Sequence, residues 1–298
     1  MAAWKNINCA ICGIANTEII YNQKTNYLEL SELAFFARKF PKQIHSQIVQ
    51  CKSCGLVFAN PILDSKIISK LYSDANWFAE PQLENMKYDY LREIMAILPL
   101  LKSRDAMLEI GCADGFLLAE AGKLFKKAVG VEPSKAAAIA KLAGLNIIHD
   151  EFKPGLFEPK SFDFVCAFQV LDHLITPMES LLEIYKILKP GGIFLAVNHD
   201  IKSPLARLFG KNCAMYDIQH IYLFDTKTIR LFLENGGLEV FKAQDIKYTY
   251  RLDYAIKMLP FGENTRNNLI RLTKMLHLDS INFSMFGGNM VAVGKKPL

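Results

Sequence analysis

The chain has 298 residues, of which 51% are hydrophobic and 22% are charged, and its formal net charge is +5. These values predict an ordinary globular protein with one large domain or a core domain with appendages, and the mild charge neither demands nor excludes a polyanionic partner. The N-terminus lacks the pattern of a signal peptide, and no stretch approaches the ~18 apolar residues of a transmembrane helix, so we expect a cytoplasmic protein.

Two cysteine pairs in the N-terminal region share one spacing. Cys9 with Cys12, and Cys51 with Cys54, each form a Cys-x-x-Cys-Gly motif. Two such turns supply the four thiolates of a tetrahedral zinc site with no open position, which predicts a structural metal. The pairs lie further apart than the ~15–20 residues of a compact ribbon, so Tyr27 to Ile48 would form an inserted hairpin or helix. The alternative is two unrelated redox or free-thiol pairs.

The first hundred residues thus divide into two predicted segments. Residues 1–62 form a candidate zinc module that ends in a short strand before Pro61. Residues 63–104 follow as a helical linker and lid, with helical spacing of apolar residues from Asp64 to Tyr72 and from Leu83 to Leu98. Between these helices, Asp74 to Pro81 is aromatic and loop-like.

From residue 105 to 298, strand and helix patterns alternate. The predicted order is strand Met107–Ile110, helix Phe116–Phe125, strand Ala128–Val131, helix Ser134–Ala143, strand Asn146–Ile148, strand Phe162–Phe168, helix Pro177–Leu188 and strand Ile193–Val197. This alternation predicts an α/β fold with a doubly wound parallel sheet. The pattern then loosens into helix Thr226–Glu234 and strands Leu238–Ile246 and Asn289–Gly294, with a helical, basic and aromatic insertion at about 250–280.

The most informative segment is the turn after the first of these strands. Residues Met107 to Gly115 read Met-Leu-Glu-Ile-Gly-Cys-Ala-Asp-Gly. A strand that re-enters as a helix through small residues offers bare backbone N–H groups to a ligand, although a tight turn without a ligand is the alternative. Glu132 ends the next strand about 20 residues later, where an acid can accept ribose hydroxyls or face a helix N-terminus.

Polar residues also end the fourth and fifth predicted strands. Asp172 and His173 follow one of them, and His199 follows the other. Ligands bind at the carboxyl ends of strands in such a sheet, so these residues predict a reaction site. Each histidine taken alone is also compatible with a satisfied loop side chain.

Five ordered motifs resemble those of class I S-adenosylmethionine-dependent methyltransferases. They are Glu109-Ile-Gly-Cys-Ala-Asp-Gly, Val-Gly-Val-Glu132-Pro, Phe-Asp163-Phe-Val, Val-Leu-Asp-His173-Leu and Leu-Lys-Pro-Gly-Gly192. The cysteine motifs and Cys-Gly-Leu-Val-Phe-Ala-Asn-Pro61 look like the subgroup with a zinc-binding N-terminal module, several members of which act on sugars or secondary metabolites. The resemblance implies a Rossmann-like, seven-stranded methyltransferase sheet behind a small zinc-ribbon-like module.

The resemblance also implies a cofactor site for S-adenosylmethionine. Its residues here would be Glu109, Gly111, Ala113, Gly115, Glu132, Asp150 and Gln169. The turn would pass under the methionine part and ribose, Glu132 would hold the ribose hydroxyls, Asp150 would meet the adenine amino group, and Gln169 would lie near the methionine moiety. Ala113 replaces the usual middle glycine, and because alanine is small we expect binding with slightly less room.

Transfer to a hydroxyl requires removal of its proton, which suits histidine because it titrates near neutrality. The candidates are His220, His199 and His173, with the first two ranked above the third. His220 begins His-Ile-Tyr-Leu-Phe224, which resembles the family's segment near the substrate side, and Asp172 would orient a neighbouring histidine.

We therefore expect methyl transfer to a small molecule: a saccharide, a lipid-linked intermediate or a secondary metabolite. The alternative is an RNA methyltransferase whose zinc module binds nucleic acid, but the electrostatic footprint for this is weak outside the insertion. A non-catalytic binding protein is a third possibility, against which the intact Glu132, Gly111 and Gly115 speak. The sequence leaves open whether oxygen, nitrogen or carbon is methylated, and the oligomeric state.

Overall fold

The computed structural model describes residues 4–24, 44–75 and 81–298. The predicted insertion between the cysteine pairs lies largely outside these ranges, and so does most of the aromatic segment 74–81. Within the described ranges, no helix combines the length and the apolar character that crossing a bilayer requires.

Two small sheets form the N-terminal part. The first pairs β1 (Trp4–Lys5) with β5 (Ile62–Leu63), and the second has β2 (Thr17–Tyr21), β3 (Ile48–Cys51), β4 (Val57–Ala59) and β11 (Tyr222–Leu223). Strand β11 comes from the C-terminal half of the chain and pairs antiparallel with β4, with Tyr222 opposite Phe58. The N-terminal module is therefore completed by the part of the chain that follows His220.

A seven-stranded sheet forms the centre. Its strands in spatial order are β12 (Glu239–Arg251), β13 (Asn282–Lys295), β10 (Leu188–His199), β9 (Phe162–Phe168), β6 (Ala106–Ile110), β7 (Lys127–Val131) and β8 (Ile147–Ile148). Strands β6 to β10 pair in parallel, and β13 is antiparallel to both of its neighbours. The predicted Rossmann-like, doubly wound sheet is confirmed, and its order reverses between β6 and β9.

Strand β9, at the centre of the sheet, is packed against a hydrophobic cluster on each face. All its residues are buried. Val165 and Ala167 belong to the hydrophobic cluster that also holds the N-terminal sheets, whereas Phe164 and Phe168 belong to the cluster on the other face of the sheet. A strand that is buried on both faces is nearly all apolar in sequence, and in β9 only Asp163 carries a charge.

Nine helices are present in the described ranges. They are α1 (Ser65–Ser73), α2 (Gln82–Ile97), α3 (Leu118–Ala121), α4 (Ala136–Leu142), α5 (Pro177–Ile187), α6 (Pro204–Phe209), α7 (Thr226–Asn235), α8 (Leu252–Met258) and α9 (Glu263–Met275). The predicted helix Phe116–Phe125 is shorter than expected, because the chain tightens into a 3₁₀ turn at Gly122, whose bare Cα faces Ala128 closely. Helices α8 and α9 form the predicted insertion and connect β12 to β13.

Candidate active site and cysteine cluster

The structure brings the four N-terminal cysteines together, and all are free of disulfides. The Sγ atoms of Cys9 and Cys54 are 3.3 Å apart, and those of Cys12 and Cys51 are 3.5 Å apart. All four lie within 4.8 Å of one another. Sulfur ligands of one tetrahedral zinc are about 3.8 Å apart, given a Zn–S bond of about 2.3 Å. Both the donor set and the spacing therefore fit a single zinc ion.

The glycine after each cysteine pair closes its turn. The Gly13 N–H donates to the Cys9 carbonyl (2.8 Å) and the Gly55 N–H donates to the Cys51 carbonyl (2.9 Å). Both glycines have a positive φ, 71° and 83°, which other residues rarely adopt. Burial raises the pKa of the Cys51 thiol, but hydrogen bonds from the turn backbone outweigh it and lower this pKa to about 7. The turn thus favours the thiolate, which is the form that binds metal.

A cavity of about 570 Å³ opens at the carboxyl edge of the central sheet. The turn after β6 and the acids after β7 and β8 line one side, and residues after β9 and β10 line the other. Its aromatic lining is Tyr72, Tyr248, Tyr250, Tyr254, Phe116, Phe152, Phe168 and Phe209, with Tyr90. In the part of the chain that the structure describes, no lysine or arginine lines this cavity.

The turn after β6 requires small residues. Gly111 has φ +71°, and a Cβ there would lie 2.5 Å from Cγ2 of Val170. Gly115 has φ +77°, and a Cβ there would lie 2.3 Å from Cδ1 of Leu145. Ala113 also has a positive φ, 51°, which costs a residue with a Cβ on the order of 1 kcal/mol. The backbone thus demands glycine at the two outer positions and carries strain at the middle one.

Glu132 holds this turn to the start of the following helix. Its Oε2 accepts the Ala113 N–H and its Oε1 accepts the Ser134 N–H, each at 2.9 Å. A carboxylate offers about four acceptor positions, so two remain toward the cavity, which Glu132 also lines. Both roles that the sequence suggested for this acid, helix partner and ligand acceptor, are compatible with this geometry.

Glu109 is a buried acid at the end of β6, with 2% of its surface exposed. Its Oε2 has no hydrogen-bond partner among the described residues. Burial raises the pKa of Glu109 well above its usual range, and the nearby charges of Glu132 and Asp114 raise it further. A cationic group in the cavity would satisfy the oxygen and offset this repulsion.

Asp150 lies differently from the sequence expectation. Its carboxylate pairs with Lys153 at 2.5 Å, which lowers the pKa of Asp150. It is absent from the cavity lining, whereas the next two residues, Glu151 and Phe152, line the cavity. The lysine three residues later holds the Asp150 side chain near the surface.

Gln169 belongs to a polar chain that the sequence does not reveal. Its Nε2 donates to Oδ1 of Asn289 (2.7 Å), and Nδ2 of Asn289 donates to the Tyr250 hydroxyl (3.1 Å). Its buried Oε1 has no partner among the described residues. Asn289 reaches this place because it lies opposite His199 in the antiparallel pairing of β13 with β10. No local pattern signals such a contact.

The three predicted histidines meet around Asp172 and line the cavity. The ring centroids of His173 and His220 are 4.8 Å apart, and those of His199 and His220 are 5.3 Å apart. Asp172 lies behind them: its Oδ1 is 3.8 Å from Nε2 of His173, and its Oδ2 is 3.9 Å from Nε2 of His220. The predicted role of Asp172 as an orienting residue is compatible with this position.

Two of the three histidine rings are held by hydrogen bonds to different partners, and burial perturbs the pKa of the third. Nδ1 of His220 lies 2.9 Å from the Met215 carbonyl, to which it donates, so that Nε2 faces Asp172. Nδ1 of His173 lies 2.7 Å from the Tyr72 hydroxyl. Burial, followed by the charge of neighbouring His220, lowers the pKa of His199 to about 4. His199 is therefore a neutral imidazole at neutral pH.

The N-terminal module supports this histidine cluster directly. The Ala59 N–H donates to the Ile221 carbonyl (2.8 Å), and the Ile221 N–H donates to the Asp172 carbonyl (2.7 Å). The residue after His220 is thus fixed between β4 and the end of β9. The sheet that carries the cysteine turns consequently positions one wall of the cavity.

A family model described as a methyltransferase domain matches residues 83–243, more than half of the chain. The ubiquinone biosynthesis O-methyltransferase of Nitrosococcus oceani is 27% identical over 178 residues, which are 52% of this chain and 75% of that protein. The mitochondrial arginine-hydroxylase NDUFAF5 of Mus musculus is 28% identical over 132 residues, which are 40% of this chain. The chain spans 38% of the length of that mouse protein.

Solved structures show the same fold at low identity. The YcgJ protein of Bacillus subtilis superimposes with a TM-score of 0.53 and 16% identity, over 70% of this chain and 99% of that one. A complex of the Haloferax volcanii Trm112 methyltransferase activator with a methyltransferase gives 0.51 and 16%, over 72% and 92%. Phosphoethanolamine N-methyltransferase 2 of Haemonchus contortus, solved with S-adenosyl-L-methionine, gives 0.50 and 17%, over 86% and 65%.

The family match includes β6 to β10, and with them the glycine turn, Glu109, Glu132 and the end of β9. These are the elements that carry the motifs recognised in the sequence, and in the structure they line one cavity at the point where the strand order reverses. The chain belongs to the class I S-adenosylmethionine-dependent methyltransferases.

Proposed function

We propose that this protein transfers a methyl group from S-adenosylmethionine to a hydroxyl group of an uncharged small molecule. The observation that carries the proposal is that one cavity joins the glycine turn to the cluster of three histidines. The turn side fits the cofactor of the family, and the histidine side offers groups that can take up a proton. Cofactor binding and proton removal would thus take place in the same cavity.

The cofactor would be held by residues that the sequence already singled out. Glu109, Gly111, Ala113, Glu132 and Gln169 line the cavity, and Gly115 shapes the turn behind it. The unpartnered oxygen of Glu109 would accept a hydrogen bond from a cationic amino group, and Glu132 would accept the ribose hydroxyls. Glu151 and Phe152, which line the cavity whereas Asp150 does not, would lie beside the adenine. When bound, the sulfonium of S-adenosylmethionine supplies an activated methyl group.

The histidines would prepare the acceptor. Holding the hydroxyl in line with the methyl group contributes several kcal/mol through positioning alone. Removal of the hydroxyl proton falls to His220, His199 or His173, all of which line the cavity. Burial lowers the pKa of His199 to about 4, so this ring is neutral at neutral pH but is a weaker base than an ordinary imidazole.

The cavity lining indicates the class of acceptor. Among the described residues no cationic side chain lines it, whereas four acids, Glu109, Glu132, Glu151 and Asp217, do. Within the described lining, a phosphate group would meet no lysine or arginine, the side chains that most often recognise it. Aromatic rings instead suit the apolar faces of a sugar or an aromatic ring. A saccharide, a lipid-linked intermediate or a secondary metabolite would therefore place its uncharged part inside.

The first experiment separates this proposal from RNA methylation. Purified protein is incubated with methyl-labelled S-adenosylmethionine and a cell extract divided into a small-molecule fraction, a lipid fraction and an RNA fraction. Label in the small-molecule or lipid fraction supports the proposal, whereas salt-sensitive label in RNA overturns it. Binding of S-adenosylhomocysteine without label in any fraction would favour a non-catalytic binding protein.

The second experiment addresses proton removal. His173, His199 and His220 are each replaced by alanine, and turnover is compared with S-adenosylhomocysteine affinity. We expect at least one variant to lose more than about tenfold in turnover, within the range of a lost general base, with cofactor affinity nearly unchanged. Losses below tenfold in all three would contradict general-base catalysis by these residues.

The cysteine cluster would hold structural zinc in the segment 1–62, followed by a linker and lid at 63–104 and the methyltransferase domain at 105–298. Ser69, Tyr72 and Tyr90 of the second segment line the cavity, which supports the lid. Reduced thiolates suit the cytoplasm, where we place the protein. Metal analysis of the purified protein should give zinc, and its absence would rule the zinc site out.

A further inference from the structure

The histidine cluster contains a set of atoms that matches a metal site distinct from the cysteines. One carboxylate oxygen of Asp172, one ring nitrogen of His199 and one of His220 lie within 4.8 Å of one another. We propose that these three residues bind a divalent transition-metal ion beside the acceptor hydroxyl. The inference deepens the proposed function and rests on it for the identity of the acceptor group.

Unsatisfied buried acceptors are the first argument. Asp172 is 97% buried, since 3% of it is exposed, and its Oδ1 accepts a hydrogen bond from Nδ2 of Asn198 (3.0 Å). Its Oδ2, which faces Nε2 of His220, has no partner within hydrogen-bond distance among the described residues. Oδ1 of Asn198 and Nδ1 of His199 are also buried without a partner there. A buried carboxylate oxygen without a donor is costly, and a cation would remove that cost.

The chemistry of the three donors is the second argument. Two imidazoles and one carboxylate, with further positions open, form the set that binds zinc in hydrolases and iron in oxygenases. The backbone already arranges the His220 ring for this role, because its Nδ1 donates to the Met215 carbonyl and its Nε2 faces the carboxylate. A histidine ligand typically has its other nitrogen fixed in this way.

The arrangement of the three donor residues determines the direction in which the free coordination positions of the ion would point. His199 and His220 line the cavity, whereas Asp172 is absent from its lining and lies behind them. The ion would therefore be held from behind by the carboxylate and present its free positions to the cavity. A hydroxyl of the acceptor placed there would have its pKa lowered, as metal-bound water does. His173, which is not among the three donors, would take up the proton that the hydroxyl releases.

The proposal is tested by counting bound metal in the full-length protein. Purified protein is stripped with a chelator, reloaded with Zn²⁺ or with Co²⁺, desalted and measured by elemental analysis. We expect about two equivalents in the wild type, one at the cysteines and one at the histidines. Asp172→Asn and His199→Ala should each bind about one equivalent, with the histidine-site affinity weakened by at least about 100-fold, beyond the loss seen for outer-shell changes.

Two matched variants make the count specific. His173→Ala removes the histidine that lies in the same cavity but outside the three donors, and it should keep two equivalents. Cys9→Ser should lose the cysteine-bound ion and keep the other, recognised with Co²⁺ by weak visible bands without sulfur charge-transfer absorption. Circular dichroism on every variant verifies that it is folded, and a variant that does not fold is replaced by the conservative His199→Gln.

The results separate this inference from the proposed function. One equivalent in the wild type, or two in both Asp172→Asn and His199→Ala, would overturn the metal site. Cofactor binding and methyl transfer by that same metal-poor protein would leave the proposed function intact. Conversely, a second equivalent without binding of S-adenosylhomocysteine would uphold the metal site and contradict the proposed function.

Discussion

Asp163 and Asp172 are both buried aspartates, but they lie at opposite edges of the central sheet. Asp163 stands near the amino end of β9, where the Asp105 and Ala106 N–H groups donate to its Oδ2 at 3.0 and 2.9 Å. Lys189 reaches both of its oxygens at 2.9 Å, and the Ser103 hydroxyl donates to Oδ1. Every acceptor of this carboxylate is used within the protein.

Asp172 stands beyond the carboxyl end of the same strand, and its bonding is incomplete. Asn198 donates to Oδ1, whereas Oδ2 has no hydrogen-bond partner among the described residues. Glu109 at the end of β6 shares this condition. At the amino edge the buried carboxylate is thus satisfied by the protein itself, whereas at the carboxyl edge two buried carboxylates keep an oxygen without a partner among the described residues, as the proposed ligand sites require.

The largest expected effect is on the free energy of unfolding, and it comes from Asp163 at the amino edge of the sheet. Asp163→Ala removes one partner of a buried charge network and leaves two N–H groups without an acceptor, so it should cost about 3–5 kcal/mol in the free energy of unfolding. S-adenosylhomocysteine affinity should stay within about twofold, as long as the protein is folded. Urea unfolding and calorimetric titration measure the two quantities, and the exposed Glu158→Ala is the control. A large loss of affinity with little loss of stability would contradict the assignment.

Asp163 should also make the free energy of unfolding depend on pH. Burial raises the pKa of Asp163, but hydrogen bonds from Ser103, Lys189 and Ala106 outweigh it and lower the pKa below 3.8. Its stabilisation is therefore present above the unfolded pKa and is lost as the pH falls through the folded value. The difference in unfolding free energy between wild type and Asp163→Asn should be constant above about pH 5 and shrink toward pH 3. A difference that grows on acidification would refute this.

The next effect belongs to the carboxyl edge. Glu132→Ala removes the acceptor of two backbone N–H groups and of the ribose, and charged hydrogen bonds contribute about 1.5–3 kcal/mol each. We expect S-adenosylhomocysteine to bind on the order of 100-fold more weakly, which corresponds to about 3 kcal/mol. The measurement is calorimetric titration, with Glu158→Ala again as control. Unchanged affinity would mean that this acid is only a partner of the turn and helix.

A smaller effect tests the link between the cysteine cluster and the histidines. Cys54→Ser should weaken metal binding at the cluster and loosen β4, which holds Ile221 through the Ala59 N–H. Because Ile221 follows His220, we expect turnover to fall about tenfold, the low end for misplaced catalytic groups, while cofactor affinity stays unchanged. Ser53→Ala, in the same turn, is the control for general disturbance. Equal losses in turnover and in cofactor affinity would indicate global destabilisation instead.

The smallest effect concerns the middle of the glycine turn. Ala113→Gly relieves a positive φ that costs on the order of 1 kcal/mol, and it restores the residue that the family has there. We expect a rise in thermal stability of a few degrees and cofactor affinity equal to or slightly above that of the wild type. Differential scanning calorimetry detects the change. A loss of stability would show that the alanine methyl group makes a favourable contact.

Much of this protein could be predicted from local patterns. The cysteine turns, the glycine turn from Gly111 to Gly115 and the buried strand β9 are each specified by neighbouring residues, because spacing, small side chains and apolar runs determine the backbone over a few positions. The role of Asp150 stays a prediction: its side chain pairs with Lys153, whereas the next two residues, Glu151 and Phe152, line the cavity.

Only the tertiary structure decided which distant residues share a site. Asn289 meets Gln169 through the register of β13 on β10, and β11 joins the N-terminal sheet after more than a hundred intervening residues. Asp172, His199 and His220 come together because parallel strands end at one edge and β11 anchors the last of them. The sequence by itself indicated the class of cofactor, because five motifs, each specified over a few neighbouring residues, occur in the order that the methyltransferase family shows. The acceptor side depends on long-range pairing, whose register no local pattern carries.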